Sequence, residues 1–173
     1  MSWNPFRRTA SSDPHAGWWD DANRAGTAPS VEAIDRLHAA LAPVAEADIR
    51  EQQEEMIGGL RHLFALATRA DLPVVESQHR VVGTDVCHLI TPVTFGGSEA
   101  APGKLFLTSR RLIIVTGGVT TRPWHATRRL ERIGRSVFVG AGEALLEVRC
   151  NSYGDALVAH HIGSRLVAAA RQG

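Results

Sequence analysis

The spacing of hydrophobic positions divides the chain into a helix-forming first part and a strand-forming second part. From residue 31 onwards apolar residues recur every three or four positions, as on one face of a helix, and Pro43 interrupts that pattern. After Pro73 the period changes to alternation, which is typical of strands with one buried face. The pattern predicts a helical hairpin over residues 31–72, kinked or broken near Pro43, and an antiparallel β-domain over residues 78–173.

The second predicted helix has an acidic outer face and contains two adjacent glycines, Gly58 and Gly59. Each glycine in a helix interior costs about 1 kcal/mol relative to alanine. We therefore expect another element to pack closely against the helix at this point, which would compensate for that cost.

A hairpin is the clearest signal in the strand-forming part. Residues 104–108 and 111–115 are two β-rich runs separated by Ser109 and Arg110. Further short strands are predicted around residues 121–125, 129–133, 136–139 and 143–150. Residues 156–162 fit either a last strand or the start of a closing helix that continues to residue 171. Short strands followed by one helix predict a small antiparallel sheet or barrel with the helix packed on it.

The hairpin also carries a family resemblance. The segment Gly103-Lys-Leu-Phe-Leu-Thr-Ser-Arg-Arg-Leu-Ile-Ile-Val resembles the G-x-L-x-L-T-x-x-R-L-I signature of GRAM domains and bacterial pleckstrin-homology-like (PH-like) domains. Downstream, Trp124 and Leu130-x-x-Ile133 resemble the next strand of that family and its I-x-x-I/V element. The resemblance covers about residues 81–171, with residues 81–95 as the opening strand. Ser109 departs from it, because the family often has Asn or Asp there.

The resemblance implies an α+β fold in which a split barrel of two nearly orthogonal sheets is capped at one end by the C-terminal helix. It also implies a module that binds lipid headgroups, peptides or other proteins and is rarely catalytic. The helical hairpin and the first thirty residues lie outside the resemblance.

Residues 1–30 combine proline and glycine with no sustained period, which predicts an extended, irregular tail. Three of the four tryptophans nevertheless lie in it. We expect the tail to act as an anchor on a protein partner, because tryptophan and arginine dominate interface energetics. A foot at the membrane interface and a strap across this chain's own helices are the alternatives. The candidate partner-binding residues of the tail are Trp3, Phe6, Arg7, Arg8, Trp18 and Trp19.

Charge is distributed unevenly over the 173 residues, although the net charge is only +1. Residues 31–76 hold nine acidic residues against four arginines, whereas residues 77–173 hold twelve basic residues against six acidic ones. The low net charge argues against nucleic-acid binding through bulk charge. An arginine-rich stretch with one acidic residue predicts a basic patch that binds an acidic partner or anionic lipid. The acidic helix of the same chain could be that partner. The alternative is that the arginines form only a solvated face. The patch consists of Arg110, Arg111, Arg122, Arg128, Arg129, Arg132 and Arg135.

The sequence predicts no catalytic site, no cofactor and no metal. The run from Gly97 to Lys104 has the wrong spacing for a phosphate loop, and a strand follows it. Two cysteines and eight histidines show no metal-ligand spacing. No hydrophobic run is long enough to span a membrane, and no signal core opens the chain, so we expect a cytoplasmic protein that can be peripheral to the membrane.

The predicted function is therefore that of a non-catalytic docking or adaptor module. It binds a protein partner at or near the cytoplasmic membrane, as an accessory subunit of a membrane protein complex would. A module for phosphoinositide-type or other anionic lipid headgroups is the first alternative. An enzyme with an unrecognised site is the second.

Overall fold

The computed structural model describes residues 13–96 and 100–172. Of the candidate residues in the tail, Trp3, Phe6, Arg7 and Arg8 therefore lie outside the described residues. The helices are α1 (Ala16–Ala25), α2 (Val31–Ala39), α3 (Ala47–Ala67) and α4 (Tyr153–Ala170). The strands are β1 (Cys87–Phe95), β2 (Ala101–Thr108), β3 (Arg111–Val115), β4 (Val119–Pro123), β5 (Arg129–Ile133), β6 (Ser136–Ala141) and β7 (Ala144–Cys150).

The helical hairpin forms where the apolar period predicts it. The Ser30 hydroxyl caps α2 by accepting a hydrogen bond from the Ala33 amide (3.2 Å). The break falls around Pro43, after which a single 3-10 turn leads into α3.

Helix α1 lies inside the segment for which the sequence predicts irregular chain. Its buried residues Trp18, Ala22 and Ala25 are spaced four and three positions apart, so they form one stripe along the helix. That stripe packs with residues of α2 and α3 in one hydrophobic cluster. Packing on the neighbouring helices thus stabilises a helix that the local pattern, interrupted by Gly17 and bounded by Gly26, does not predict.

All seven strands form one antiparallel sheet in the order β4-β3-β2-β1-β7-β6-β5. Strand β1 pairs with β2 along its length and with β7 only through Val93–Phe95, so it belongs to both halves of the sheet. The predicted hairpin is confirmed, with Lys104 opposite Val115 and Leu107 opposite Leu112. This strand order, closed by a C-terminal helix, is the PH-like split barrel that the resemblance implies.

One boundary differs from the sequence expectation, and the alternative left open for residues 156–162 is resolved. The opening strand begins at Cys87 and not at residue 81, because residues 80–85 form a turn in which Gly83 has a φ of +61°. Residues 156–162 are helical, since α4 begins earlier, at the N-cap Ser152. The Ser152 hydroxyl accepts a hydrogen bond from the Asp155 amide (2.9 Å).

The described residues form three hydrophobic clusters: a barrel cluster, a helical cluster and a small cluster around Phe106 and Ile113; α4 contributes to the first two. Val158 and Ile162 of α4 pack with Trp124 and the inner faces of the strands. Leu157 packs with the buried stripe of α1, α2 and α3. Within the residues that the structure describes, no helix is both long and apolar enough to cross a membrane.

Candidate docking surface

The turn between β2 and β3 is held by the residues that carry the family resemblance. The buried Thr108 hydroxyl lies 3.1 Å from Asp85 Oδ2 and accepts a hydrogen bond from the Arg111 amide (3.2 Å). The Trp124 indole N–H donates to the Thr108 carbonyl oxygen (2.7 Å). These signature residues therefore fix the shape of the turn, and the candidate chemistry lies in the side chains around it.

Asp85 fixes the two arginines of the turn. Its carboxylate is 4% exposed, accepts a hydrogen bond from Arg111 Nε (3.1 Å), and lies 3.6 Å from Arg110 Nε. Both contacts use Nε, so the terminal amino groups of the two guanidinium groups have no hydrogen-bond partner in the described part of the chain. The side chain of Arg110 is 77% exposed and that of Arg111 is 41% exposed. Their free N–H groups are available to an external anion.

Both arginines line a hollow of about 730 Å³ beside the end of α4. We call it the turn hollow, and besides Arg110 and Arg111 its lining consists of Gly83, Thr84, Asp85, Ser109, Pro123, His125 and Ala170. Its charged lining residues are two arginines and one aspartate, with His125 beside them. The turn hollow is therefore a concave surface with an excess of positive charge.

Other arginines of the predicted patch are used inside the molecule. Arg132 donates hydrogen bonds to Asn23 Oδ1 (2.8 Å) and to the Gly134 carbonyl oxygen (2.9 Å), and burial lowers the pKa of its guanidinium. Arg135 pairs with Glu55 of the acidic helix α3 (2.6 Å). For these two arginines the acidic partner is the same chain.

Of the remaining three arginines, Arg122 lies in β4, Arg129 begins β5, and Arg128 directly precedes it. Arg129 makes two hydrogen bonds to Glu131 (2.6 and 2.7 Å), which lower the pKa of that carboxyl. Arg122 Nε is buried and has no hydrogen-bond partner among the described residues, whereas Arg128 is exposed. Of the seven arginines, Arg110 and Arg111 together line one hollow and have open terminal amino groups.

The two described tryptophans of the tail contact this chain's own helices. Trp18 is 9% exposed, and its indole N–H donates to the Leu37 carbonyl oxygen (3.0 Å). The Trp19 ring stacks on Tyr153 with the ring centroids 5.3 Å apart. Both contacts are those expected if the tail is a strap across this chain's own helices, the alternative to a partner anchor.

The buried thiols are poor nucleophiles. Desolvation raises the pKa of Cys87, and it raises the pKa of Cys150 to about 12, so both stay protonated at neutral pH. Within residues 13–96 and 100–172 there is no group of three His, Cys, Asp or Glu side chains that could hold a metal ion.

His160 of α4 makes stability depend on pH. Burial, and next the charge of Arg132, lower its pKa below the ordinary value of 6.5, while the Leu130 backbone and Glu131 oppose the shift. As the pH falls below 6.5, His160 becomes protonated in the unfolded chain before it does in the folded one. The free energy of unfolding therefore decreases until the pH reaches the lower pKa of the folded state. His161, whose pKa burial and then Arg165 also lower, acts in the same direction.

We expect His160→Asn to reduce the loss of melting temperature between pH 7.5 and pH 5.5, because it removes one group with this shift. The same measurement on His38→Asn, at an exposed position of α2, is the control. An unchanged slope in His160→Asn would contradict the assignment.

No protein-family model matches the chain, and no curated protein matches its sequence. Among solved structures it is similar to the C-terminal domain of an unknown protein from Leishmania infantum (TM-score 0.45, 10% identity, 51% of this chain and 90% of that chain). It is also similar to the DH/PH domain of human ARHGEF11 in a complex with human RhoA and its inhibitor (TM-score 0.46, 11% identity, 87% of this chain and 54% of that chain). A third similar structure is that of the N-terminally truncated linker-DH/PH domains of p115-RhoGEF (TM-score 0.44, 10% identity, 86% of this chain and 52% of that chain).

The chain spans about half the length of these two DH/PH chains. Similarity at this identity and with TM-scores below 0.5 has no bearing on function. The assignment of a PH-like fold rests on the strand order and the closing helix.

Proposed function

We propose that this protein is a non-catalytic docking module that binds an acidic surface of a protein partner through the turn hollow. One observation carries the proposal: a buried carboxylate, Asp85, holds two arginines by their Nε atoms, and their terminal amino groups remain open to solvent. Arginine with free, oriented N–H groups is suited to bind carboxylates and phosphates by paired hydrogen bonds. The finer assignment to the GRAM family rests on the hairpin motif of residues 103–115.

The proposal places the partner at or near the cytoplasmic membrane, in a membrane protein complex of which this chain is an accessory subunit. Tail residues Trp3, Phe6, Arg7 and Arg8 would add contacts to that partner. Trp18 and Trp19 would hold the tail against the rest of the chain, because Trp18 is hydrogen-bonded to Leu37 of α2 and Trp19 stacks on Tyr153 of α4. An anionic lipid headgroup is the competing ligand for the same arginines.

Arg110→Glu is expected to weaken capture of the partner about tenfold or more, because it places a carboxylate at the rim of the turn hollow, where the partner's negative charge would lie. The measurement is quantitative pull-down from a detergent-solubilised membrane fraction. Binding to vesicles with and without anionic lipid is measured in parallel.

Arg61→Glu is the matched control, since Arg61 is an exposed arginine on α3, away from the turn hollow. It makes the same change of charge and should leave capture unchanged. Full capture by Arg110→Glu would show that the docking proposal is wrong. Binding to anionic vesicles that needs Arg110, without capture of any protein, would favour the lipid alternative.

A further inference from the structure

We propose that the turn hollow binds a phosphate monoester, the phosphorylated side chain of a protein partner. This inference rests on the proposed docking function and names the group that the two arginines recognise.

The number of free donors favours phosphate over carboxylate. A guanidinium has five N–H groups, and Asp85 is contacted only through Nε of Arg110 and of Arg111, so each arginine retains four N–H groups on its terminal nitrogens. His125 and Ser109 also line the hollow. A carboxylate has two oxygens to accept these donors. A phosphate monoester has three strongly accepting oxygens and matches the donors better.

The charge of the hollow is suited to bind an anion. Two guanidinium groups against the single carboxylate of Asp85 leave an excess of one positive charge, before any contribution from His125. A phosphorylated side chain brings about −1.5 to −2 charges at pH 7, whereas a carboxylate brings only one. The excess positive charge attracts either anion, so the number of free donors, and not the charge, favours the phosphate.

The site is also organised before any ligand arrives. Asp85 is buried, and the Thr108 hydroxyl, itself buried, lies within hydrogen-bond distance of it. The carboxylate thus holds the Arg111 guanidinium in place by a hydrogen bond, and Arg110 Nε lies 3.6 Å from its other oxygen. Holding flexible arginine side chains in position before binding lowers the entropy that binding would otherwise cost.

The shape of the hollow favours a protein over a bilayer as the source of the phosphate. The hollow is concave, with a volume of about 730 Å³. Of the large hydrophobic residues exposed on the described part of the chain, none lines it. Residues that could insert between lipid acyl chains are therefore missing from its walls, and a projecting side chain on a peptide can enter it.

The test uses the full chain and peptide libraries in which a phosphoserine, phosphothreonine or phosphotyrosine is flanked by degenerate positions. Matched libraries carry the unphosphorylated residue or glutamate. We expect the wild type to bind phosphopeptides at least about tenfold more tightly than the glutamate peptides. Arg110→Gln and His125→Gln should each reduce that affinity, Arg110→Gln by about tenfold.

Arg61→Gln is the control and should bind as the wild type does. Both test substitutions are at exposed positions, and an unchanged melting temperature verifies that each variant is folded. Equal binding of the phosphorylated and glutamate peptides would overturn the proposal. So would binding restricted to vesicles containing phosphorylated inositol lipids, or to inorganic phosphate at millimolar concentration.

A second measurement separates this inference from the docking function. The membrane fraction is treated with phosphatase before the pull-down. If capture still depends on Arg110 but survives the phosphatase, the docking function stands and the phosphate proposal is wrong. If capture does not depend on Arg110 at all, both are wrong.

Discussion

Replacing Gly59 by alanine is expected to destabilise the whole molecule, because no space exists for a methyl group where α3 crosses α4. A Cβ atom at this position would lie 2.5 Å from the Gly154 Cα and 3.0 Å from its nitrogen, both of them backbone atoms. The two helices would have to move apart, and such overpacking costs about 1–3 kcal/mol. Thermal denaturation should show a lower melting temperature, by about 2–4 °C for each kcal/mol in a chain of this size.

The adjacent glycine provides the control. A Cβ atom at Gly58 meets nothing within 4 Å, and the residue lies in the interior of α3. Gly58→Ala should therefore raise the stability by about 0.5–1 kcal/mol through the higher helix propensity of alanine. Shifts of the same sign in both variants would contradict the close crossing of α3 and α4.

Trp124→Ala is expected to be the most destabilising substitution in the barrel, at about 3–5 kcal/mol. The indole is 1% exposed and packs among the strands and α4, so its removal leaves a large cavity. Its N–H also donates to the Thr108 carbonyl oxygen (2.7 Å), at the base of the β2–β3 turn. The variant should lose affinity for the partner as well as stability, because the turn positions Arg110 and Arg111.

Urea denaturation measures the loss of stability. Trp124→Phe fills most of the cavity but cannot donate to Thr108, so it should fall between the wild type and Trp124→Ala. Val119→Ala, at an exposed position of β4, the strand that ends directly before Trp124, should change the stability by less than about 0.5 kcal/mol. A wild-type denaturation midpoint for Trp124→Ala would contradict the packing described for this residue.

The barrel could be predicted from the sequence because its signals are local. The alternation after Pro73 and the two β-rich runs around Ser109 and Arg110 place β2 and β3 without knowledge of any distant contact. The adjacent glycines of α3 likewise indicate a close crossing. Only the structure shows that Gly59 makes this crossing and Gly58 does not.

Features that depend on distant contacts were not predictable in the same way. Helix α1 is short, and its apolar stripe stabilises a helix only when it packs against α2 and α3. The N-cap Ser152 with Asp155 three residues later is a local signal that would have settled the start of α4.

The division of the arginines could not be read from their spacing. Arg132 and Arg135 lie against the helical layer, whereas Arg110 and Arg111 lie at a turn, and the difference arises from tertiary packing. Asp85 is separated from Arg111 by 26 positions in the chain and lies outside the hairpin motif, so the motif does not predict their hydrogen bond.

Helix α4 contributes residues to both the barrel cluster and the helical cluster. This sharing limits how the barrel and the helices can be exchanged separately between genes in evolution. A gene segment that encoded only the barrel would leave Leu157 and the backbone of Gly154 uncovered, since α3 covers both. A transplanted barrel would therefore carry an apolar stripe that promotes aggregation. The helices and the barrel must be inherited as one unit, and a shuffled gene that keeps the binding turn must also keep residues that lie far from it.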